Sequence, residues 1–278
     1  MDTNGRIRTG VDTKGGHMDD KTMVAFLGTG TMGGALLKGS LDGGLDAGSV
    51  RVTARRQSRV DELVAAHGVR GTTDNAEAAT HASVVVLAVG PASIPDVLGE
   101  IAGHLTDGAV VVSIADGISL EDLRGGLPGT VSVARAMPSL AAEVGSGLTL
   151  LTFERGCADE QRNAVTALFE RSGEVLEVDE EQQADLSVLS SGGPAYFFYV
   201  AAAMIEAAAI RGVNRDLGRR LVAQAMAGSA AWLQRESEAP DELRARVCAP
   251  GGAGISRIAE LDERAVRAAF IDALTKDV

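Results

Sequence analysis

Gly28, Gly30 and Gly33 stand at GxGxxG spacing directly after the apolar run Val24-Ala25-Phe26-Leu27, and small and apolar residues continue beyond them at helical spacing. Strand, tight turn and helix in that order are the context a dinucleotide fingerprint requires. Gly28 permits the turn, Gly30 lets backbone approach a pyrophosphate, and Gly33 lets the helix pack on the strand. The N–H groups at the helix start, around Thr29, Thr31 and Met32, favour an anion. A site built for the non-phosphorylated cofactor places an acid at the end of the next strand to hold a ribose hydroxyl. Arg55 and Arg56 occupy that place, with Ser58 nearby. Guanidinium groups suit a 2′-phosphate, so the pattern predicts NADPH rather than NADH. The alternative is that one or both arginines are simply solvated. Ala88-Val89-Gly90-Pro91 and Ala115 follow two further apolar runs. In such folds ligands lie beyond the carboxyl ends of the strands, so these residues are expected to line the nicotinamide pocket.

The residues that are missing narrow the chemistry. The chain holds four lysines against 22 arginines, and none of the lysines falls between Lys38 and Lys276. Schiff-base and other lysine-dependent covalent catalysis is therefore not expected. The four histidines (His17, His67, His81, His104) all precede residue 105, so the rest of the chain has no imidazole for acid–base work. Cys157 and Cys248 have no metal-ligand spacing, no metal site is expected, and a reducing cytoplasm is the default compartment. The net charge of −12 is scattered, which argues against nucleic acid. No uncharged apolar stretch reaches about 18 residues, so no membrane partner is expected. Residues 1–22 are polar and Gly-rich without an apolar segment and read as a disordered leader or a cloning scar.

The elements that must position these groups follow from periodicity. Runs at Val50–Ala54, Ser83–Val89, Ala109–Ile114, Val131–Ala134, Leu148–Thr152 and Glu174–Val178 read as strands. Arg59–His67, Pro95–His104, Leu120–Gly125 and Asp159–Arg171 read as helices between them. That alternation predicts an α/β fold with a doubly wound parallel sheet over residues 23–180. From about 181 to 278 strand signals stop. Helices are expected over Ala195–Ile210, Arg215–Gln234, Asp241–Val247 and Ser256–Leu274, with Pro194 at a helix start and Gly212 at a C-cap. So thin an all-α, alanine-rich segment is expected to bury its apolar faces against a second copy in a homodimer. A monomeric bundle is the alternative.

Two Gly/Pro-rich breaks open helices in this tail: Ser190-Ser191-Gly-Gly-Pro194-Ala-Tyr196, and Ala249-Pro250-Gly251-Gly252-Ala253-Gly254. A helix N-terminus is a seat for a carboxylate; ordinary turns are the other reading. With GTGTMGGAL, AVGP, SIADGIS, RAMP at 135–138, LSSGGPAYFF and RVCAPGGAGISRIAELDE in that order, the chain resembles the pyrroline-5-carboxylate reductase family over more than nine-tenths of its length. The resemblance implies a Rossmann domain joined to a helical dimerisation domain, dimers that often assemble further, and hydride transfer from NAD(P)H to the C=N bond of a cyclic imine. It also implies substrate contacts at Met137, Pro138, Ser139, Pro194 and the loop Ala249–Gly254.

The departures lie at the substrate side. MPNTPA is replaced by Met137-Pro138-Ser139-Leu-Ala-Ala142, AVKP by AVGP, SGSGPAY by SSGGPAY, and SPGGTT or SPGGAT by Ala249-Pro-Gly-Gly-Ala-Gly254. The resemblance places a serine hydroxyl at Ala249 and a threonine hydroxyl at Gly254, and this chain has neither. Ser256, Tyr196 and Ser191 are candidate catalytic replacements for the missing proton-donating group; capping roles are the alternative for each. Three functions stay open: reduction of pyrroline-5-carboxylate to proline, the same chemistry on a different imine in a specialised pathway, or a non-catalytic nucleotide-binding partner. Hydroxyacid dehydrogenases of the 6-phosphogluconate type also begin GxGxMG, but they use a mid-chain lysine that is absent here.

Overall fold

The computed structural model describes residues 22–276. The reading of residues 1–22 as a leader therefore falls, Thr22 apart, outside the described residues. Contacts divide the chain into two compact units, with the break between Pro194 and Ala195.

The first unit is built on one eight-stranded sheet in the order β3-β2-β1-β4-β5-β6-β7-β8. The strands are β1 (Val24–Leu27), β2 (Val50–Thr53), β3 (Arg70–Thr72), β4 (Val84–Leu87), β5 (Val110–Ser113), β6 (Ser132–Pro138), β7 (Gly147–Phe153) and β8 (Gly173–Glu177). All residues of β1, β4 and β5 are buried, as expected of strands covered on both faces. Their side chains alternate. Val24, Phe26, Val84, Val86, Val110 and Val112 enter one core. Leu36 and Leu37 of α1 (Thr31–Asp42) and Leu168 and Phe169 of α6 (Asp159–Glu170) complete it. Ala25, Leu27, Val85, Leu87 and Val111 enter the other, with Ile94, Val97, Leu98 and Ile101 of α4 (Ile94–Ile101). Burying each large aliphatic side chain stabilises by roughly 1.5–3 kcal/mol, so this two-sided layering dominates the stability of the unit.

Two sequence expectations for the first unit need correction. The sheet is parallel except at one pair: β7 runs antiparallel to β6 and parallel to β8. A parallel pair needs a crossover of about a dozen residues or more, and the link from Pro138 to Gly147 holds only the short turn Leu140–Val144. The expected list of elements also lacked β3 and α3 (Asn75–Ala79). Arg70-Gly-Thr72 has no apolar residue to signal a strand; it pairs at the sheet edge through its backbone. The short helices α2 (Gln57–His67) and α5 (Leu120–Gly125) follow expectation, and α7 (Glu180–Ser190) fills the stretch after β8.

The second unit is helical throughout. It comprises α8 (Gly193–Ile210, from Ala195 on), α9 (Arg215–Arg235), α10 (Pro240–Val247), α11 (Ala253–Glu263) and α12 (Val266–Leu274). Gly212, at φ 82°, closes α8, and the Asn214 side chain caps α9 by accepting from the Asp216 and Leu217 N–H groups. Helix α8 meets α9 at Gly218, where a Cβ would stand 3.5 Å from that of Ala208. The single helix expected over Ser256–Leu274 is two, because Ala265 turns left-handed at φ 55°. Few residues here are buried, while Phe198 is 72% and Tyr199 77% exposed. Glu180–Ile210 is long and apolar enough to cross a membrane by length and composition alone. Large apolar side chains exposed in this number are what an interaction face presents.

Gly39 of α1 tests the packing of the first unit. A Cβ there would lie 1.9 Å from the Ala142 carbonyl oxygen, whereas one at Gly99 of α4 meets nothing within 4 Å. Gly39→Ala should lower the unfolding free energy by about 1–3 kcal/mol or more. Gly99→Ala should raise it by roughly 0.5–1 kcal/mol. Chemical denaturation of both variants checks the pair, and equal effects would show that the close approach of α1 is misplaced.

Candidate active site

The strand order reverses between β1 and β4, and a cleft of about 610 Å3 opens at their carboxyl ends. Gly28 sits at its floor with φ 84°, in the left-handed region. A Cβ at Gly28 would strike Val89 Cγ1 at 2.5 Å and approach the Ala88 carbonyl oxygen at 3.1 Å. A Cβ at Gly33 would meet the Gly28 oxygen at 2.7 Å and Ala88 Cβ at 2.8 Å. Both glycines are thus required by close backbone approach. Gly30 differs: nothing stands within 4 Å of its Cβ position, and it is the N-cap of α1 with no side-chain cap. Open space beside uncapped helical N–H groups is the form of a pyrophosphate seat, so the residues present fit a dinucleotide.

Thr53, the last residue of β2, fastens this turn. Its hydroxyl accepts from the Gly28 N–H at 3.0 Å, and its carbonyl accepts from the Thr29 N–H and the Thr29 hydroxyl, each at 3.0 Å. Arg55 and Arg56 line the cleft wall beyond it, and among the described residues neither has a carboxylate partner. Ala88, Val89 and Gly90 line it from the β4 side. Ser58, Met32, Gly33, Pro91 and Ala115 do not reach the wall, and Ala115 spends its N–H on the Ser113 hydroxyl at 3.1 Å. Thr31 borders a neighbouring cavity of about 430 Å3 with Lys38 and His67.

Several wall residues are not among the candidates read from the sequence: Thr53, Arg59, Asn75, Ser93, Asp96 and Glu100. Arg59 was foreseeable as the residue one helical turn beyond Arg55 and Arg56. It borders both cavities and pairs with Glu62 at 3.0 Å. Asn75 follows the strand that left no apolar trace.

The candidate substrate residues fall into two groups, one in each unit. Met137 and Pro138 belong to strand β6, and Ser139 follows them, 2% exposed, with its hydroxyl accepting from the Leu148 N–H at 3.1 Å. Ser191 donates its hydroxyl to the Ser187 carbonyl at 3.0 Å as a C-cap of α7. Pro194, which ends the first unit, and Tyr196, already in the second, are partly exposed in the first turn of α8. In the second unit Ala249-Pro250-Gly251-Gly252 forms a β-turn closed by the Gly252 N–H on the Ala249 carbonyl at 2.9 Å. Pro250 and Gly251, the latter at φ 73°, occupy the positions such a turn prefers. The turn delivers the chain into α11, which starts at Ala253 without a side-chain cap. Ser256 is exposed in its first turn. A Cβ at Gly254 would lie 3.3 Å from Cys248 Sγ, so the thiol borders the space a larger residue would take. Upstream, Arg246 stacks on Trp232 at 4.7 Å and pairs with Glu238 at 2.6 Å, tying α10 and its following loop to α9. Among the described residues no group of three metal-ligating side chains occurs. Burial pushes the Cys157 thiol up, which keeps it protonated and unreactive.

The arrangement offers a cleft of the form a dinucleotide needs and helix starts whose N–H groups have no side-chain cap. Comparisons with known proteins agree with it. Residues 180–278 match the family described as pyrroline-5-carboxylate reductase dimerisation. Residues 23–117 match that described as NADP oxidoreductase, coenzyme F420-dependent. A pyrroline-5-carboxylate reductase of Corynebacterium melassecola is 36% identical over 90% of this chain and 93% of its own. One from Escherichia coli K12 is 33% identical over 91% and 94%. The solved pyrroline-5-carboxylate reductase of Coxiella burnetii superposes with a TM-score of 0.83 at 31% identity, covering 92% of this chain and 95% of its own. Identity at this level over nearly the whole length of both partners, on the same fold, means that the chain belongs to the pyrroline-5-carboxylate reductase family.

Proposed function

We propose that this protein reduces the C=N bond of pyrroline-5-carboxylate to give proline, with NADPH as the reductant. The observation that carries the reading is the joint presence of the Gly28–Gly33 cradle and the Ala249–Gly254 turn at a helix start, in a chain that spans nearly all of its reductase relatives. NADPH held in the Gly28–Gly33 cradle would supply the hydride for the imine carbon, and a proton would have to reach the imine nitrogen. The chain's own part is to hold and orient. The N–H groups at the start of α11, without a side-chain cap, would hold a substrate carboxylate, and Arg55 and Arg56, with Arg59, would favour the 2′-phosphate. Ser256, Tyr196 and Ser191 remain the candidate proton donors; Ser191 fits least, since its proton is already engaged by Ser187.

The loss of hydroxyls at Ala249 and Gly254 favours a second reading, in which the same chemistry serves a different cyclic imine. Two missing hydrogen bonds to a charged substrate amount to about 3–6 kcal/mol of binding. The exposed apolar faces of α8 and α9 support a homodimer, with the dimerisation portion beginning near residue 181. The two free cysteines support a reducing cytoplasm.

Three measurements test these readings. Arg55→Asp and Arg56→Asp should each lower the NADPH-to-NADH ratio of kcat/KM by roughly tenfold or more, the value of one charge-assisted contact. An unchanged ratio would mean the arginines are only solvated. Wild-type enzyme should turn over pyrroline-5-carboxylate faster than a carboxylate-free cyclic imine, and the Ala249→Ser, Gly254→Thr double variant should increase that advantage. Preference for the carboxylate-free substrate would instead establish the second reading. Sedimentation equilibrium should give a mass at least twice that of one chain; a monomer at micromolar concentration would remove the dimer.

A further inference from the structure

Four polar groups cross the floor of the cleft in single file. Glu100 Oε2 accepts from Asn75 Nδ2 at 2.7 Å, Asn75 Oδ1 accepts from the Thr53 hydroxyl at 2.7 Å, and Thr53 Oγ1 accepts from the Gly28 N–H at 3.0 Å. They come from α4, the start of α3, the end of β2 and the turn after β1, and all four line the cleft. The direction of every bond follows from the chemistry of one end. An ionised carboxylate can only accept. Asn75 must therefore turn its NH2 toward Glu100, which aims its carbonyl oxygen at Thr53. The Thr53 proton is then committed to Asn75, which leaves a lone pair for the Gly28 N–H. Without Glu100 the Asn75 amide has no reason to choose that orientation. With the amide reversed, the Thr53 proton loses its acceptor and must turn elsewhere, and the Thr53 oxygen, now accepting from the Asn75 NH2 as well, no longer has its lone pair fixed on the Gly28 N–H.

We infer that Glu100 is a positioning residue for cofactor binding. It sets the orientation of the Asn75 amide and, through Thr53, holds the Gly28 turn in its left-handed form. The inference rests on the reading of this cleft as the NADPH site. It makes a claim opposite in sign to simple electrostatics. Removing a negative charge from the wall of a phosphate-binding cleft should tighten NADPH binding, whereas removing the acceptor that orients the relay should weaken it.

The test is a set of NADPH titrations by fluorescence on Glu100→Leu, Glu100→Gln, Thr53→Val and the Glu100→Leu, Thr53→Val pair. Glu100 is exposed, so its replacement leaves the core intact. Glu100→Leu should weaken binding roughly fivefold to tenfold while kcat at saturating NADPH stays within about twofold. Glu100→Gln, which keeps an acceptor and loses the charge, should bind within about twofold of wild type. The paired variant should be no more than about twofold worse than Thr53→Val alone, because both changes break one relay. Tighter binding by Glu100→Leu, or effects of Glu100→Leu and Thr53→Val that multiply, would overturn the relay. If wild-type protein takes up neither NADPH nor NADH, the cofactor reading itself fails. The relay is then decided by amide hydrogen exchange over Gly28–Gly30, which Glu100→Leu should accelerate and Glu100→Gln should not. Unchanged exchange would reject it.

Discussion

The left-handed turn at Gly28 is the constraint on which the first unit is organised. The chain leaves β1 with no room for a side chain, wedged between the Val89 side chain and the Ala88 carbonyl. That wedge exists because β4 lies beside β1 in the sheet, which in turn requires the chain to cross over from the β3 edge. The turn then points α1 so that its uncapped N–H groups open on the cleft. Sheet order, glycine placement and the open helix start are one geometric fact seen at three scales. Replacing Gly28 would strain the backbone and the packing together, whereas Gly30 answers only to what approaches from outside.

The two units solve burial in different ways. The first layers valine-rich strands between helices and completes its own core. The second presents helices that are apolar well beyond their mutual contacts, with Phe197, Phe198 and Tyr199 largely exposed in one turn. A helix that is apolar all round is stable only when something covers it. A cover over these faces would therefore stabilise the unit as well as bind to it, and in the proposed homodimer the apparent unfolding midpoint would depend on protein concentration.

Much of this was legible in the sequence because it is written in local patterns. Continuous valine runs announced β4 and β5, and the Gly28–Gly33 spacing in its strand-to-helix setting announced the cleft. What stayed hidden depends on partners distant in the chain. β3 is held by backbone pairing to β2 and has no apolar residue to declare it. The direction of β7 follows from the brevity of its link to β6. Met137 and Pro138 look like a loop by their proline, yet they extend β6 by pairing with β7. Asn75 and Glu100 are ordinary surface residues until folding sets them 2.7 Å apart across 25 positions of chain. Hydrogen bonds of that range have no periodicity to read. The candidate substrate loop was legible only in part: the turn and helix start at Ala249–Ala253 follow from Pro and Gly positions, but the thiol beside Gly254 does not.

The aromatic residues have a consequence of another kind. The chain has one tryptophan and two tyrosines, and Trp232, Tyr196 and Tyr199 all lie in the second unit. The dinucleotide-binding unit contains no chromophore that absorbs appreciably at 290 nm, so absorption at that wavelength and tryptophan emission report on the helical unit alone. Because Trp232 stacks on Arg246, two residues before Cys248, its emission also senses the helix that leads into the Ala249–Gly254 turn. Far-ultraviolet dichroism sees both units and tryptophan emission sees one, which makes the wild-type molecule, without any label, a two-channel optical instrument for following how its halves come apart.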